Sequence, residues 1–185
     1  MKKFLFSAIV ILFAVSVTNA QDVFKKGDLV FNAGVGVNNS LYSGNGYKST
    51  IPVAISGEYG VAENLIGGDN GSIGVGGYLG YTGSKYDAGI ADFSVKYSSI
   101  IVGARGTFHY QFVNKLDTYA GLMLGYDVVS SKVTGTLAGG YAASASGFSS
   151  SFFLGARYWF APAVGAFAEL GSGISNCTLG VAFRL

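Results

Sequence analysis

The sequence predicts an all-β protein, an eight-stranded antiparallel up-and-down transmembrane β-barrel. Two features of the composition favour this fold class. Hydrophobic residues make up 50% of the chain and charged residues only 12%, about half the quarter that is usual for soluble domains. After the N-terminus, no apolar run approaches the roughly 20 residues that a transmembrane helix needs. The apolar surface must therefore be arranged by alternation along strands.

That alternation is clearest from Ser98 to Val128. Even positions from Ile100 to Phe112 are apolar or small and uncharged, whereas the odd positions are mostly small or polar. Side chains of a strand alternate between its two faces, so a strict period of two predicts a strand. A short turn and a second strand with the same period follow. The polar face holds too few charges among its glycines for a solvated surface, which favours a membrane hairpin with its apolar face outward.

The N-terminus has a different pattern, that of a secretory signal peptide over residues 1–20. Lys2 and Lys3 precede an apolar stretch, and small residues end it before Gln21. The alternative is an N-terminal membrane anchor, but the apolar run is short for a span. Residues 21–185 are then expected to form one outer-membrane β-barrel domain.

The same period predicts the remaining strands and the links between them. The eight predicted strands cover residues 28–37, 51–61, 72–81, 98–112, 118–128, 151–160, 164–171 and 178–185. Links 38–49, 82–95 and 129–147 are long, whereas links 113–117 and 161–163 are short. Bacterial barrels show this asymmetry, with short periplasmic turns and long outer loops. Link 62–71 is longer, and link 172–177 shorter, than that scheme expects.

The predicted outward positions carry no charged residue within the membrane span, and aromatic residues flank the apolar band on both sides. Such girdles favour the headgroup layers of a bilayer. At the turn end they are Phe31, Tyr59, Phe108, Tyr110, Tyr158, Phe160 and Phe183, and at the loop end Tyr81 and Tyr126.

Charged residues take the inward phase of the predicted strands. Buried charges need partners, and an arginine fork matches a carboxylate, so we expect a lumen charge network with Glu169 between Arg157 and Arg184. The six candidate members are Glu58, Arg105, Asp127, Arg157, Glu169 and Arg184. Eight strands leave an interior just filled by side chains, which argues against a wide pore. The alternative is a narrow path along the inward glycines Gly34, Gly36, Gly74, Gly76, Gly80, Gly103 and Gly121.

The sequence gives little sign of catalytic chemistry. His109 is the only histidine, and its inward position near a short turn favours a structural role. Metal binding would need a denser cluster of ligands. Removal of Lys2 and Lys3 from the 12 basic residues leaves a chain without basic surplus over its 10 acidic residues, so no nucleic-acid surface is expected. Cys177 is the single cysteine and is expected to be a small apolar filler, with a reactive free thiol or an intermolecular bridge as the alternatives. We expect no cofactor, no metal and no catalytic residue.

The C-terminal strand carries a resemblance to a known family. Thr178, Gly180, Phe183 and Leu185 place a polar residue, a glycine, an aromatic and a hydrophobic residue as in the terminal assembly signal of outer-membrane barrels, although Leu185 replaces the commoner terminal Phe. Over essentially its whole length the mature chain resembles the small outer-membrane barrels of the OmpA/OmpX and opacity-protein kind. This resemblance implies the outer membrane of a Gram-negative bacterium, insertion by the barrel-assembly machinery, periplasmic termini and no enzyme activity.

The favoured function is therefore a non-enzymatic barrel, anchored among outer-membrane lipids, that displays loops for envelope integrity or for adhesion to a surface ligand. The alternative is a small porin-like channel or transporter for small or apolar solutes. A lipid-modifying enzyme is disfavoured because the loops contain no histidine. A soluble lipocalin-like barrel would be polar outside, against the inward phase of Arg105, Arg157 and Glu169.

Overall fold

The computed structural model describes residues 24–66, 70–87, 94–134 and 145–185, so the predicted signal peptide lies outside the described part of the chain. The described residues form nine strands. In chain order they are β1 Leu29–Gly36, β2 Tyr47–Ser49, β3 Val53–Ala62, β4 Gly71–Asp87, β5 Ser94–Val113, β6 Leu116–Thr134, β7 Gly147–Ala161, β8 Val164–Gly171 and β9 Cys177–Arg184.

Eight of these strands close into a barrel. Each of them pairs antiparallel with its neighbours, and β1 pairs with β9 from Val30↔Arg184 to Gly36↔Thr178, which closes the sheet. The short β2 stands outside this ring and pairs with the far end of β4. The predicted eight-stranded antiparallel barrel is confirmed. No helix in the described part of the chain is long and apolar enough to cross a membrane.

The outer face of the barrel is an apolar belt, as the alternation predicts. Val102 is 54% exposed and Leu124 is 59% exposed, whereas their strand neighbours Ile101 and Met123 are buried. An exposed apolar surface of this extent marks a face that meets lipid rather than water. The predicted girdle residues Phe31, Tyr59, Phe108, Tyr158, Phe183, Tyr81 and Tyr126 are exposed, whereas Tyr110 and Phe160 are half-buried.

The predicted loop boundaries at one end of the barrel are wrong. β4 and β5 stay paired through Asp87↔Ser94, and β5 and β6 through Ser94↔Thr134. Most of link 82–95 and the start of link 129–147 are therefore strand, and the last residues of link 38–49 are β2. Val and Tyr, which favour strands, occupy the inner phase there, and the outer phase is polar. The change from an apolar to a polar outer face marks the membrane boundary, and the pairing continues beyond it.

Three strands consequently rise well above the rest. β4, β5 and β6 have 17, 20 and 19 residues, whereas β1, β8 and β9 have 8 each. Beyond the exposed pair Tyr81↔Ile100, β4 and β5 continue to Asp87↔Ser94, which adds about 20 Å of strand at roughly 3.3 Å per residue. We call this paired part of β4, β5 and β6, together with β2, the extension.

Candidate functional site

Four ionisable side chains form a closed ring in the lumen near the turn end. Arg157 of β7 donates from Nη1 to Asp117 Oδ2 at 3.0 Å and from Nη2 to Glu58 Oε2. His109 lies opposite, with Nε2 2.8 Å from Glu58 Oε1 and Nδ1 2.8 Å from Asp117 Oδ1. All four side chains are buried. The ring therefore ties β3, β5, β6 and β7 together across the barrel, and Thr107 adds a donor to Glu58.

Aromatic rings enclose this buried ring. Phe24, which precedes β1, stacks on His109 with centroids 4.1 Å apart. The Phe24 carbonyl accepts a hydrogen bond from Ser72 Oγ at 2.9 Å. On the other side the Arg157 guanidinium lies 4.5 Å from the centre of the Tyr119 ring. The aromatic faces add cation–π attraction and exclude water, so the charges interact in a low-dielectric interior.

A second ion pair lies further toward the loop end. Arg105 Nη2 donates to Glu169 Oε2 at 2.6 Å, and Tyr119 Oη donates to the same oxygen at 3.2 Å. The Arg105 guanidinium stacks on the Phe153 ring at 3.8 Å. This pair joins β5 to β8, which are separated by β6 and β7 in the sheet. It spans the lumen rather than linking neighbouring strands.

The predicted placement of Glu169 between Arg157 and Arg184 is wrong, and the register explains why. Glu169 pairs with Gly155 and with Thr178, whereas Arg157 pairs with Phe167. Arg184 lies at the opposite end of β9, where its guanidinium is 4.4 Å from the centre of the Trp159 ring and its Nε is 3.7 Å from Asp28 Oδ2.

Of the six candidate network residues, the structure places Glu58 and Arg157 in the first cluster and Arg105 and Glu169 in the second. Asp127 lies near the loop end of β6, opposite Ile101, and belongs to neither cluster. The sequence analysis missed Asp117, which was assigned to a turn. The sequence does contain a signal for Asp117. It lies two residues before the inward Tyr119, and side chains two residues apart in a strand face the same side.

Some of the inward glycines, among them Gly34 and Gly121 of the predicted path, lie against aromatic rings. A Cβ at Gly34 would lie 2.7 Å from the Phe167 ring, and one at Gly180 would lie as close to the same ring. Gly121 faces the Phe153 ring and Gly155 faces Tyr119 in the same way. Large side chains thus lie over glycines of the adjacent strand, or of the strand beyond it, and fill the space that those glycines leave.

The loop-end mouth is covered as well. Ile174, in the link between β8 and β9, is buried against Ile101, Met123 and Phe153. The Ile174 carbonyl accepts a hydrogen bond from the Ser40 backbone at 3.2 Å. Beneath it, beside Arg105 and Glu169, the lumen retains a cavity of about 20 Å³, room for roughly one water molecule.

This geometry suits cross-strand bonding better than catalysis. Both ring nitrogens of His109 are engaged by carboxylates, and Phe24 covers the ring. Within the described residues, no group of three or more His, Cys, Asp or Glu side chains could hold a metal ion. Cys177 is a half-buried free thiol at the start of β9. The two clusters link non-adjacent strands across the lumen.

No protein-family model matches the sequence, and no curated protein is detectably related to it. Solved structures do match. The attachment invasion locus protein Ail of Yersinia pestis, in complex with the heparin analogue sucrose octasulfate, is 17% identical, and the match covers 86% of this chain and 99% of that one with a TM-score of 0.51. The outer membrane protein OprG from Pseudomonas aeruginosa is 10% identical, covering 89% and 98% with a TM-score of 0.53.

A third structure, the N-terminal β-barrel domain of Pseudomonas aeruginosa OprF, is 13% identical and covers 88% of this chain and 100% of that one, with a TM-score of 0.52. The chain has the fold of the small bacterial outer-membrane β-barrels. The fold resemblance predicted from the C-terminal strand is thereby confirmed. The apolar belt of the barrel agrees with the predicted location in the outer membrane.

The predicted assembly signal lies at the barrel seam. Thr178, Gly180 and Phe183 belong to β9, and Leu185 follows it. Phe183 is exposed on the belt, whereas Gly180 faces the Phe167 ring inside the barrel. The use of this strand by the assembly machinery stays a prediction.

Proposed function

We propose that the protein is a non-enzymatic outer-membrane anchor whose barrel holds the extension at the cell surface. The observation that carries this proposal is the contrast between the two parts of the molecule. The lumen is occupied by two ion-pair clusters and by aromatic rings, whereas the surface beyond the belt is built out at length by β4, β5 and β6. A barrel of this design offers a surface rather than a passage.

The extension is an ordered platform, which supports a role in contact. Tyr42 Oη and Ser99 Oγ are 2.8 Å apart, and the Tyr42 ring stacks on Tyr97 with centroids 5.4 Å apart. Burial raises the pKa of the Tyr42 phenol. Asn39 Nδ2 donates to Thr82 Oγ1 at 2.7 Å. The segment before β3 thus packs along the inner face of the extension and holds it in one shape, which reduces the ordering cost of binding a partner.

More specifically, we propose that the extension binds a ligand at the cell surface. Support comes from the similarity to Ail, whose structure was solved with a sulfated heparin analogue. Tyr and Ser side chains of the extension, among them the exposed Tyr47, supply aromatic surface and adaptable hydrogen bonds of the kind that recognition surfaces use. Adhesion and envelope integrity are both compatible with this design.

Single-channel recording of the refolded mature chain in a planar bilayer tests the proposal against the porin-like alternative. We expect a folded protein without discrete conductance steps, because ion pairs and aromatic rings occupy the described lumen and the cavity beside Arg105 and Glu169 has room for only about one water. Reproducible steps of a defined size would refute the proposal and support transport. A shift in gel mobility between unheated and heated samples provides the control that the barrel is folded.

Surface display is tested separately on intact cells. In a Cys177→Ser background, Thr134→Cys places a thiol on the extension and Lys115→Cys places one in the turn between β5 and β6. A maleimide coupled to a polymer too large to pass outer-membrane porins should label Thr134→Cys on intact cells and Lys115→Cys only after lysis. The reverse pattern would show that the extension faces the periplasm, against the proposed display.

A further inference from the structure

Four lysines of the extension occupy one row across four strands. Lys48 of β2 pairs with Lys85 of β4, Lys85 pairs with Lys96 of β5, and Lys96 pairs with Lys132 of β6. Residues that pair directly across strands project from the same face of the sheet. The four ammonium groups are therefore neighbours on one face, and we call this set the lysine row.

The lysine row lies on the outward face of the extension. Along β4, Lys85 has the same phase as the exposed Tyr81, and along β5, Lys96 has the same phase as the exposed Ile100. Val95, the neighbour of Lys96, is buried on the inner face. The row therefore belongs to the surface that continues upward from the lipid-facing belt. It faces sideways over the membrane, not into the lumen.

The height of the row corresponds to the headgroup region. Lys85 and Lys96 lie four residues beyond Tyr81 and Ile100, which is about 13 Å along a strand and about 10 Å in height at the tilt of a barrel strand. The polar layer of a bilayer begins at the edge of the hydrocarbon core and adds about 5–8 Å on each side. Lysine stems are long enough to bring their ammonium groups down to that layer.

The electrostatics of the row favour a bound anion. Paired residues on neighbouring strands lie about 5 Å apart between Cα atoms, and like charges directly opposite disfavour the sheet. None of the four lysines forms an ion pair within the described residues. Asp87 is the acidic residue of the same outward phase on β4. The described part of this face thus keeps an excess of positive charge.

We propose that the lysine row binds the phosphate groups of lipid headgroups in the leaflet that surrounds the barrel. A phosphorylated lipid brings its charge to the height of the row while its acyl chains cover the adjoining belt. A soluble anionic polysaccharide offers similar charge, but it would gain nothing from a site that faces sideways above the apolar surface. This inference rests on the proposed function only for the choice of the outer leaflet. Binding of a lipid to the refolded protein does not depend on how the protein is oriented in the cell.

Native mass spectrometry of the refolded mature chain, released from neutral detergent and titrated with diphosphoryl lipid A, measures the binding. The test variant is Lys96→Gln with Lys132→Gln, and the matched control is Lys26→Gln with Lys115→Gln at the other end of the barrel. Both pairs remove the same charge. We expect lipid A to bind the wild type more tightly than phosphatidylcholine. The test variant should lose about tenfold in affinity, and the control variant should retain wild-type affinity.

Further ligands test which kind of molecule supplies the negative charge that the lysine row binds. Monophosphoryl lipid A should bind more weakly than the diphosphoryl form, and the addition of Lys48→Gln and Lys85→Gln should weaken binding further. Equal losses in the test and control variants would overturn the proposal, as would displacement of lipid A by an equal concentration of inorganic phosphate. Lysine-dependent binding of a heparin fragment without preference for lipid A would assign the row to a soluble polyanion instead. Failure in any of these forms leaves the conductance and labelling tests unaffected.

Discussion

Replacement of Arg157 by Met removes the cation from the buried ring near the turn end of the lumen. The Arg157 side chain is 1% exposed, and its guanidinium is bonded to both Glu58 and Asp117. Without it, two buried carboxylates share only His109 as a possible counter-charge. The Met side chain fills most of the vacated volume, so the change tests electrostatics more than packing.

The expected loss follows from the geometry of these contacts. Hydrogen bonds to charged groups contribute about 1.5–3 kcal/mol each when they are buried. Removal of one partner from a buried ion pair destabilises a protein by about 3–5 kcal/mol, because the remaining charge is left desolvated. We therefore expect Arg157→Met to lower the free energy of unfolding by about 3–5 kcal/mol. Arg157→Lys should lower the free energy of unfolding by less, because the ammonium group keeps the positive charge. Some loss should remain, because an ammonium group lacks the planar fork with which Arg157 bridges both carboxylates.

Reversible urea unfolding in phospholipid vesicles measures this difference. Trp159 is the only tryptophan and is buried near Val30 and Ala182, so its fluorescence reports on the turn-end lumen, and far-ultraviolet circular dichroism gives a second, global readout. Addition of Glu58→Gln to Arg157→Met should restore part of the lost stability, because it removes one unpaired charge. A loss below about 1 kcal/mol, or no recovery with Glu58→Gln, would show that the ring does not hold the barrel together.

Two further predictions concern the two faces of the barrel wall. Val102→Arg and Leu124→Arg place a cation on the lipid face and should each destabilise membrane insertion by about 2–4 kcal/mol, measured as the folded fraction in vesicles; normal insertion of both variants would contradict the assignment of faces. Gly121→Val puts a side chain into the Phe153 ring and should cost about 1–3 kcal/mol or more in unfolding free energy. The control Gly106→Val, at a glycine with open space around it, should unfold like the wild type, and equal losses in the two valine variants would mean that the lumen is not tightly filled.

The sequence alone was sufficient for the fold class and for the faces of the strands, because both follow from local periodicity. A period of two assigned Val102 and Leu124 to the lipid face and Arg105 and Arg157 to the lumen, and the structure agrees with each assignment. The polar face of the strands carries too few charges for a solvated sandwich, and this too could be read from the sequence. The signal peptide and the role of the terminal strand in assembly remain predictions from sequence.

The sequence did not predict how far the strands extend beyond the membrane. The apolar outward phase stops where the strands leave the membrane, although the backbone pairing continues to Asp87↔Ser94 and Ser94↔Thr134. Beyond the belt the outer positions are polar and the apolar residues, such as Val95 and Val133, take the inner phase, so the pattern that marked the membrane strands is lost and the sequence reads as a loop. The lysine row is likewise invisible along the chain, since Lys48, Lys85, Lys96 and Lys132 are brought together by cross-strand register alone.

Tertiary structure also decided which charges meet. The inward phase was correct for Glu169, but its partner is Arg105 across the lumen and not Arg157 on the neighbouring strand. Phase fixes the face of a residue, whereas height in the barrel depends on the stagger between strands. Contacts across the lumen further require the sheet to close. Sequence periodicity therefore determined the wall of this protein, and the register of the closed barrel determined its interior and its surface charge.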